Sequence, residues 1–355
     1  MKVHVLSPGF TTPNGRAFLF PLKVWRKALR DRGFSVTFFD RHTVALTDCD
    51  VLLVDSKFHR DRWLNDTPRI VEEFDGWAKR CRVVYCDTTD SSGWVQTELL
   101  PVVHVYGKAQ LLRERSRYQA PMYGHRPFTD YYHRKYHVTD ASPEWSCAVD
   151  DPALLKKLRV SWNSGLADYS LTGPARMALY SRLPLTILLR FPQRFIKPEA
   201  VRLRDLSCRF GASYPRASVS FQRKMIRERM ADRMDTSKVS RRRYFDELST
   251  SRAVISPFGY GEITLKDFEV FLTGGVLIKP DMSNIETWPD LFRGGETMLR
   301  HDWDLSDFDA VVDGATANYQ SAIAVARAGQ DAYRRHLIGE EAQELFCDHF
   351  AMLIK

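Results

Sequence analysis

Apolar residues in the first part of the chain come in short unbroken runs, separated by longer stretches with helical spacing. Residues 3–6, 35–39, 51–54 and 82–86 read as strands. Between them, residues 20–32 place Leu22, Trp25 and Leu29 on one helical face, and Gly33 ends that helix. Residues 70–79 read as a second helix. Continuously apolar strands alternating with helices predict a parallel sheet covered on both faces. Such sheets bind ligands beyond the carboxyl ends of their strands. The loops to watch are therefore 8–16, 55–60 and 87–94.

The middle of the chain, 118–145, is rich in Tyr, His, Arg and Pro and lacks periodicity, so it reads as an irregular excursion. A second alternating set begins near Leu206. Strands are expected at 207–210, 253–256 and 276–279, and helices at 218–234, 240–248, 315–328 and 331–353. The pattern divides the chain into an N-terminal Rossmann-like unit (1–155), a connecting segment (156–200), a C-terminal Rossmann-like unit (201–330) and a terminal helix (331–355) that packs back on the first unit.

The densest chemistry lies in 254–292. Pro257-Phe258-Gly259-Tyr260-Gly261 forms a turn before a helix, and Glu262, Lys266 and Glu269 follow at spacings that put all three on roughly one face. A glycine turn entering a helix offers backbone N–H groups to a phosphate. Cations at Arg216 and Lys266 suit a diphosphate, together with the amides of 259–261. Glu269 suits the hydroxyls of a ribose. Glu262 and Lys266 also satisfy the spacing of an ordinary surface ion pair, and spacing alone leaves both readings open.

These residues resemble the carboxyl-terminal half of GT-B glycosyltransferases, most closely the exostosin-like branch. The matching positions are Pro257-Phe258-Gly259, Lys266, Glu269, Gly274 or Gly275, and the apolar strand 276–278. The upstream strand 207–211 followed by Arg216 matches the start of that half. The resemblance covers about residues 200–295. Lysine stands at 266 where the family has arginine. Glu262 and Glu269 are separated by seven positions, where the retaining pair of the family is separated by eight.

The resemblance implies an α/β protein of GT-B type, with two Rossmann-type domains facing across a cleft. It implies transfer of a sugar from a nucleotide-activated donor to a hydroxyl acceptor, a glycan or a lipid-linked molecule. The nucleotide sugar is a co-substrate and no cofactor is expected. The donor site would comprise Arg216, Gly259, Tyr260, Gly261, Glu262, Lys266 and Glu269. Asp87 and Asp90, after the fourth strand, stand where a general base would face the cleft, or else they cap the next turn. Asp55, Glu98 and His104 are further candidates. Asn14 and Arg16 in the first glycine loop are expected to bind acceptor or phosphate. A nucleotide-sugar epimerase or a non-catalytic nucleotide- or glycan-binding protein on the same fold are the competing readings.

Composition changes this picture little. The chain has 355 residues, enough for two domains, and a net charge of +8, which favours anionic partners. The basic run Arg241-Arg242-Arg243 reads as the start of a solvated helix, with no nucleic-acid motif beside it. Six scattered cysteines without a CxxC pair read as reduced thiols. The pairs Asp48/Asp50 and Asp302/Asp304 read as turn and cap residues, and His125, His133 and His137 lack partners at ligand spacing, so no metal is expected. No apolar run approaches the ~20 residues that span a bilayer. The expected location is cytoplasmic, with peripheral attachment to the inner membrane face as an option.

Overall fold

The computed structural model describes residues 1–355. Twelve strands form: β1 (Lys2–Leu6), β2 (Ser35–Phe39), β3 (Val51–Asp55), β4 (Arg82–Asp87), β5 (Val105–Lys108), β6 (Gln110–Leu112), β7 (Leu158–Val160), β8 (Arg204–Ser207), β9 (Ser251–Ile255), β10 (Val276–Pro280), β11 (Ile285–Thr287) and β12 (Leu299–His301). The helices are α1 (Pro13–Val24), α2 (Arg26–Asp31), α3 (Trp63–Ala78), α4 (Pro127–Tyr136), α5 (Gly173–Tyr180), α6 (Ala217–Met230), α7 (Arg241–Thr250), α8 (Leu265–Thr273), α9 (Phe308–Ala317), α10 (Tyr319–Arg335) and α11 (Glu340–Ile354).

The first sheet has six parallel strands in the order β2-β1-β3-β4-β5-β7. The second has four parallel strands in the order β12-β10-β9-β8. The runs that form their centres, VLLVD in β3 and VLIKP in β10, are buried throughout, as a sheet covered on both faces requires. In the first sheet the strand order reverses between β1 and β3, so the loops after those strands open into one crevice.

Several elements differ from the sequence reading. The first helix begins at Pro13, because Thr12 caps it by accepting from the Gly15 N–H and proline suits the first turn. The excursion at 118–145 contains α4, which also starts on a proline. The segment expected to be a connection opens with β7, the sixth strand of the first sheet. Strand β8 ends at Ser207, so residues 208–211 are loop at its carboxyl end.

The carboxyl ends of the two sheets meet. Glu262, after β9, accepts hydrogen bonds from Ser92, after β4, and from Gln110 in β6. Strand β6 pairs antiparallel with β11 from the other half. The largest core cluster includes residues of both halves, among them Trp25, Trp162, Val254 and Phe268. Helix α11 lies on the first half, where Phe346 packs on Trp25 and Arg82 donates to the Ile354 carbonyl at 2.9 Å. The halves face one another across a cleft, and they share a core beneath it.

Candidate functional site

The carboxylates at the ends of the first sheet are mostly internal. Asp55 is 0% exposed and accepts from Ser7 Oγ at 2.8 Å, Lys57 N at 3.0 Å and Thr88 Oγ1 at 3.1 Å. Burial raises its carboxyl above the ordinary value, against the pull of those bonds. Asp87 does not face the cleft. It accepts from Lys108 Nζ at 2.6 Å, Tyr106 Oη at 2.8 Å and Thr89 N at 2.9 Å, and is sealed with Lys108 inside the sheet. Burial pushes its carboxyl up, but the Lys108 ammonium outweighs that and holds it below the usual range. A group so enclosed cannot reach an acceptor hydroxyl, so Asp87 is a structural ion-pair member and not a base.

Asp90 is different. It is exposed, Asn14 Nδ2 donates to its Oδ1 at 2.8 Å, and its other oxygen has no protein donor. Asn14 also donates to the Thr88 carbonyl at 2.8 Å, which ties α1 to the loop after β4. Asn14, Thr89 and Asp90 form the shared wall of two cavities. The smaller, ≈ 40 Å³, reaches Trp162 and Asn163; the larger, ≈ 400 Å³, opens towards Arg126 and Tyr260. Arg16 lies outside both. Its Nε donates to the Phe10 carbonyl at 2.9 Å and closes its own loop. Glu98 lies outside both cavities, on the exposed 3-10 turn Thr97–Leu99. His104 accepts from Val83 N near the amino end of β4, away from the cleft.

In the second half, the predicted cluster is split. Glu262 is 0% exposed, precedes α8, and belongs to the contact between halves. It accepts from Ser92 Oγ at 2.7 Å and Gln110 Nε2 at 2.8 Å. Burial raises its carboxyl, with the Ser92 bonds pulling the other way. Gly261 sits against Asp90, and a Cβ there would fall 2.0 Å from the Asp90 carbonyl oxygen. Close approach to Asp90 requires glycine here. Arg216 pairs with Glu144 from the first half.

Lys266 and Glu269 lie on α8, whose N-terminus is fixed by a capping box between Thr264 and Asp267. At its other end Gly274 takes φ 71°, a left-handed position that favours glycine. Glu269 is 5% exposed, and Arg241 Nη1 donates to it at 3.0 Å. Arg241 opens α7 with Arg242 and Arg243, all three exposed as expected of a solvated helix start, and it reaches back to Glu269 from there. Burial raises the Glu269 carboxyl, and Arg241 opposes that.

Lys266 Nζ donates to the carbonyls of Arg209 and Ile255 and lies 5.5 Å from the Phe210 ring. Burial lowers its pKa to about 8. Beside it, Arg223 of α6 is 8% exposed. Its Nε donates to the Phe258 carbonyl at 2.5 Å and its Nη1 to the Gly211 carbonyl at 2.8 Å. The Phe210 and Tyr214 rings lie 5.5 Å and 5.1 Å from its guanidinium. A Cβ at Gly259 would lie 3.5 Å from Arg223 Nη2, an ordinary contact distance, so the turn runs directly alongside the guanidinium. Neither Arg223 nor Lys266 has a carboxylate at ion-pair distance. The sequence reading missed Arg223; the signal was a basic residue beside Gln222 on a helix that follows a glycine loop.

Other candidate ligands are engaged locally. Asp48 pairs with Lys2 at 2.7 Å, Asp302 with Arg300 at 2.8 Å and Asp304 with Lys135 at 2.5 Å. His133 stacks on Tyr123 and His125 on Trp94. No group of three or more His, Cys, Asp or Glu side chains is arranged to hold a metal ion. All six cysteines are free.

No protein-family model matches the chain. No curated protein matches it either. Among solved structures, Anabaena HepE in complex with UDP-glucose aligns with 99% of this chain and 100% of its own, at 10% identity and a TM-score of 0.45. An alpha-glucosyltransferase in complex with UDP-glucose and DNA containing an abasic site aligns over 100% of both chains, at 10% identity and a TM-score of 0.40. TarM aligns with 86% of this chain and 54% of its own, at 7% identity and a TM-score of 0.44. Superposition at these scores is loose, and the chemistry of the cleft has to be read from this chain's own residues.

Proposed function

We propose that the chain is a glycosyltransferase of GT-B type that moves a sugar from a nucleoside diphosphate to a hydroxyl acceptor. The observation that carries this reading is the pair Arg223 and Lys266. Both are cations at the carboxyl ends of a parallel sheet, both are bonded to carbonyls alone, and neither is neutralised. A diphosphate would complete them, and two cations would stabilise it as it departs. Glu269, one turn further along α8, takes the ribose hydroxyls.

The facing wall supplies Asp90. In an inverting course, the acceptor oxygen attacks the anomeric carbon and its proton passes to Asp90. The bond to the diphosphate breaks, and the electron pair leaves with the nucleotide. Leaving-group charge rests on Arg223 and Lys266, so the reaction is read as metal-independent. Activity that a chelator abolishes and manganese restores overturns that part.

The acceptor is read as a glycan or a lipid-linked molecule, with the protein peripheral to a membrane. No helix is long and apolar enough to cross one. Leu183, Leu185 and Ile187 are 52%, 57% and 74% exposed. Exposed Arg182, Arg190, Arg194 and Lys197 flank them in the chain, and no acidic residue lies between Asp168 and Glu199. Exposed apolar side chains in a stretch that carries cations and no carboxylate suit an anionic lipid surface. Leu185→Glu with Ile187→Glu should abolish sedimentation with phosphatidylglycerol vesicles; unchanged sedimentation rejects the surface.

A melting-temperature screen against UDP, GDP, CDP and dTDP tests the donor site. A ligand at 100 times its Kd adds about 2.7 kcal/mol to the native state. At least one nucleotide should raise the wild-type melting temperature. No shift with any of them overturns the donor site. Transfer then requires nucleotide release that depends on added acceptor.

A further inference from the structure

The larger cavity has a charge pattern that donor binding does not explain. Lys57, Arg60 and Arg126 line it, and none of them forms an ion pair, although ion pairs are common elsewhere on the surface. Lys57 and Arg60 stand on the turn after β3, whose start is fixed by the Lys57 N–H donating to Asp55. Arg126 precedes α4 and donates only to the carbonyls of Tyr260 and Gly124. The one carboxylate on the wall is Asp90.

Three cations against one carboxylate in a concave wall leave a net positive charge that attracts an anion. Trp94 and Tyr260 accompany them, with His125 stacked on Trp94. Trp94 lines the cavity, and Tyr260 is 41% exposed at its rim, 5.8 Å from the Arg126 guanidinium. Amphipathic rings of this kind receive the apolar face of a sugar while its hydroxyls meet polar neighbours. The volume of ≈ 400 Å³ fits a small saccharide. Nucleic acid calls for a different distribution, a basic stripe that follows successive phosphates.

We propose that this cavity binds an acidic saccharide acceptor. Its carboxylate or phosphate rests on Lys57, Arg60 and Arg126, and the hydroxyl to be glycosylated lies at Asp90. The inference rests on the transferase reading and names the acceptor class for it.

Calorimetry on the full chain tests it with four probes: a glucuronic-acid-containing disaccharide, glucose 6-phosphate, cellobiose and a short oligodeoxynucleotide. At least one of the two acidic probes should bind ten-fold or more tighter than cellobiose, and which one does separates carboxylate from phosphate. The variant Lys57→Ala with Arg60→Ala should lose ten-fold or more of that affinity. Its melting temperature and its affinity for UDP, GDP, CDP and dTDP should stay as in the wild type. Equal binding of cellobiose, no binding of either acidic probe, unchanged affinity in the double variant, or tighter binding of the oligonucleotide each overturn the proposal. Failure of the wild type to bind any of the four nucleotides rejects the transferase reading instead, and leaves the measured preference for acidic saccharides standing.

Discussion

The buried carboxylates at the carboxyl ends of the first sheet are all compensated, whereas two cations at those of the second have no carboxylate partner. The first half compensates its buried carboxylates, although Lys57, Arg60 and Arg126 stay without an ion pair around the larger cavity. Asp55 is held by two hydroxyls and an amide, and Asp87 by Lys108, Tyr106 and Thr89. Only Asp90 keeps an oxygen without a donor. The second half also neutralises a lysine where structure demands it. Lys279 and Asp267, both 0% exposed, pair at 2.9 Å. Yet Lys266, next to Asp267 in the chain, and Arg223 are left with carbonyls alone. Charge that is fully paired holds the fold together, whereas charge left unpaired at a strand end is available to a ligand.

The comparison can be broken at four points. Asp90→Asn should lower kcat by about 10²–10⁴ while nucleotide affinity stays level, the effect of losing a general base. Near-full turnover removes Asp90 from that role. Asp87→Ala leaves Lys108 buried without its partner and should cost about 3–5 kcal/mol of stability, seen as a lowered melting temperature. A variant that melts normally but has lost turnover would move Asp87 from structure to chemistry. Arg223→Ala should weaken nucleoside diphosphate binding by an amount typical of a charged hydrogen bond, about 1.5–3 kcal/mol. Arg223→Lys should fall between it and the wild type, and equal affinity in all three contradicts the donor assignment.

The smallest effect is in pH. Burial sets the Lys266 pKa at about 8 in the free protein. Below that value the ammonium is present before the diphosphate arrives. Above it, binding must take up a proton, so affinity falls as pH rises, by at most about ten-fold per unit. Lys266→Arg stays charged and should flatten the curve between about pH 8 and 9. A wild-type curve that is already flat there puts Lys266 outside the donor site.

Much of the fold was legible because β1 to β4 and β9 and β10 each carry a short run rich in apolar residues, and such runs mark a buried parallel sheet. Three-residue strands such as β6, β7, β11 and β12 carry too little pattern to be seen. Helix α4 was hidden because its exposed face is charged and its buried face is aromatic. Within the site, Lys266 and Glu269 stood out through spacing on one helix. Arg223 did not, since its neighbours in space come from the loops after β8 and β9. Asp87 and Asp90 looked alike in sequence. The partner that separates them, Lys108, is 21 residues from Asp87 in the chain and meets it only in the sheet. Glu262 shares a helical face with Lys266 on paper, but α8 starts after it, and its side chain follows the loop across to Ser92.

The closing helix has a consequence for how the molecule is made. Residues 340–354 cover the first sheet, and the ribbon of β6 with β11 joins residues 110–112 to 285–287. While the chain emerges from the ribosome, the first half therefore waits for its last cover until residues 340–354 have emerged. Domains generally fold as units in the order they appear, but here the earlier unit is the one finished last. During that interval Trp25 and Trp162 lack the Phe346 ring that packs on both, and a nascent chain stalled before residue 340 would offer that face to chaperones.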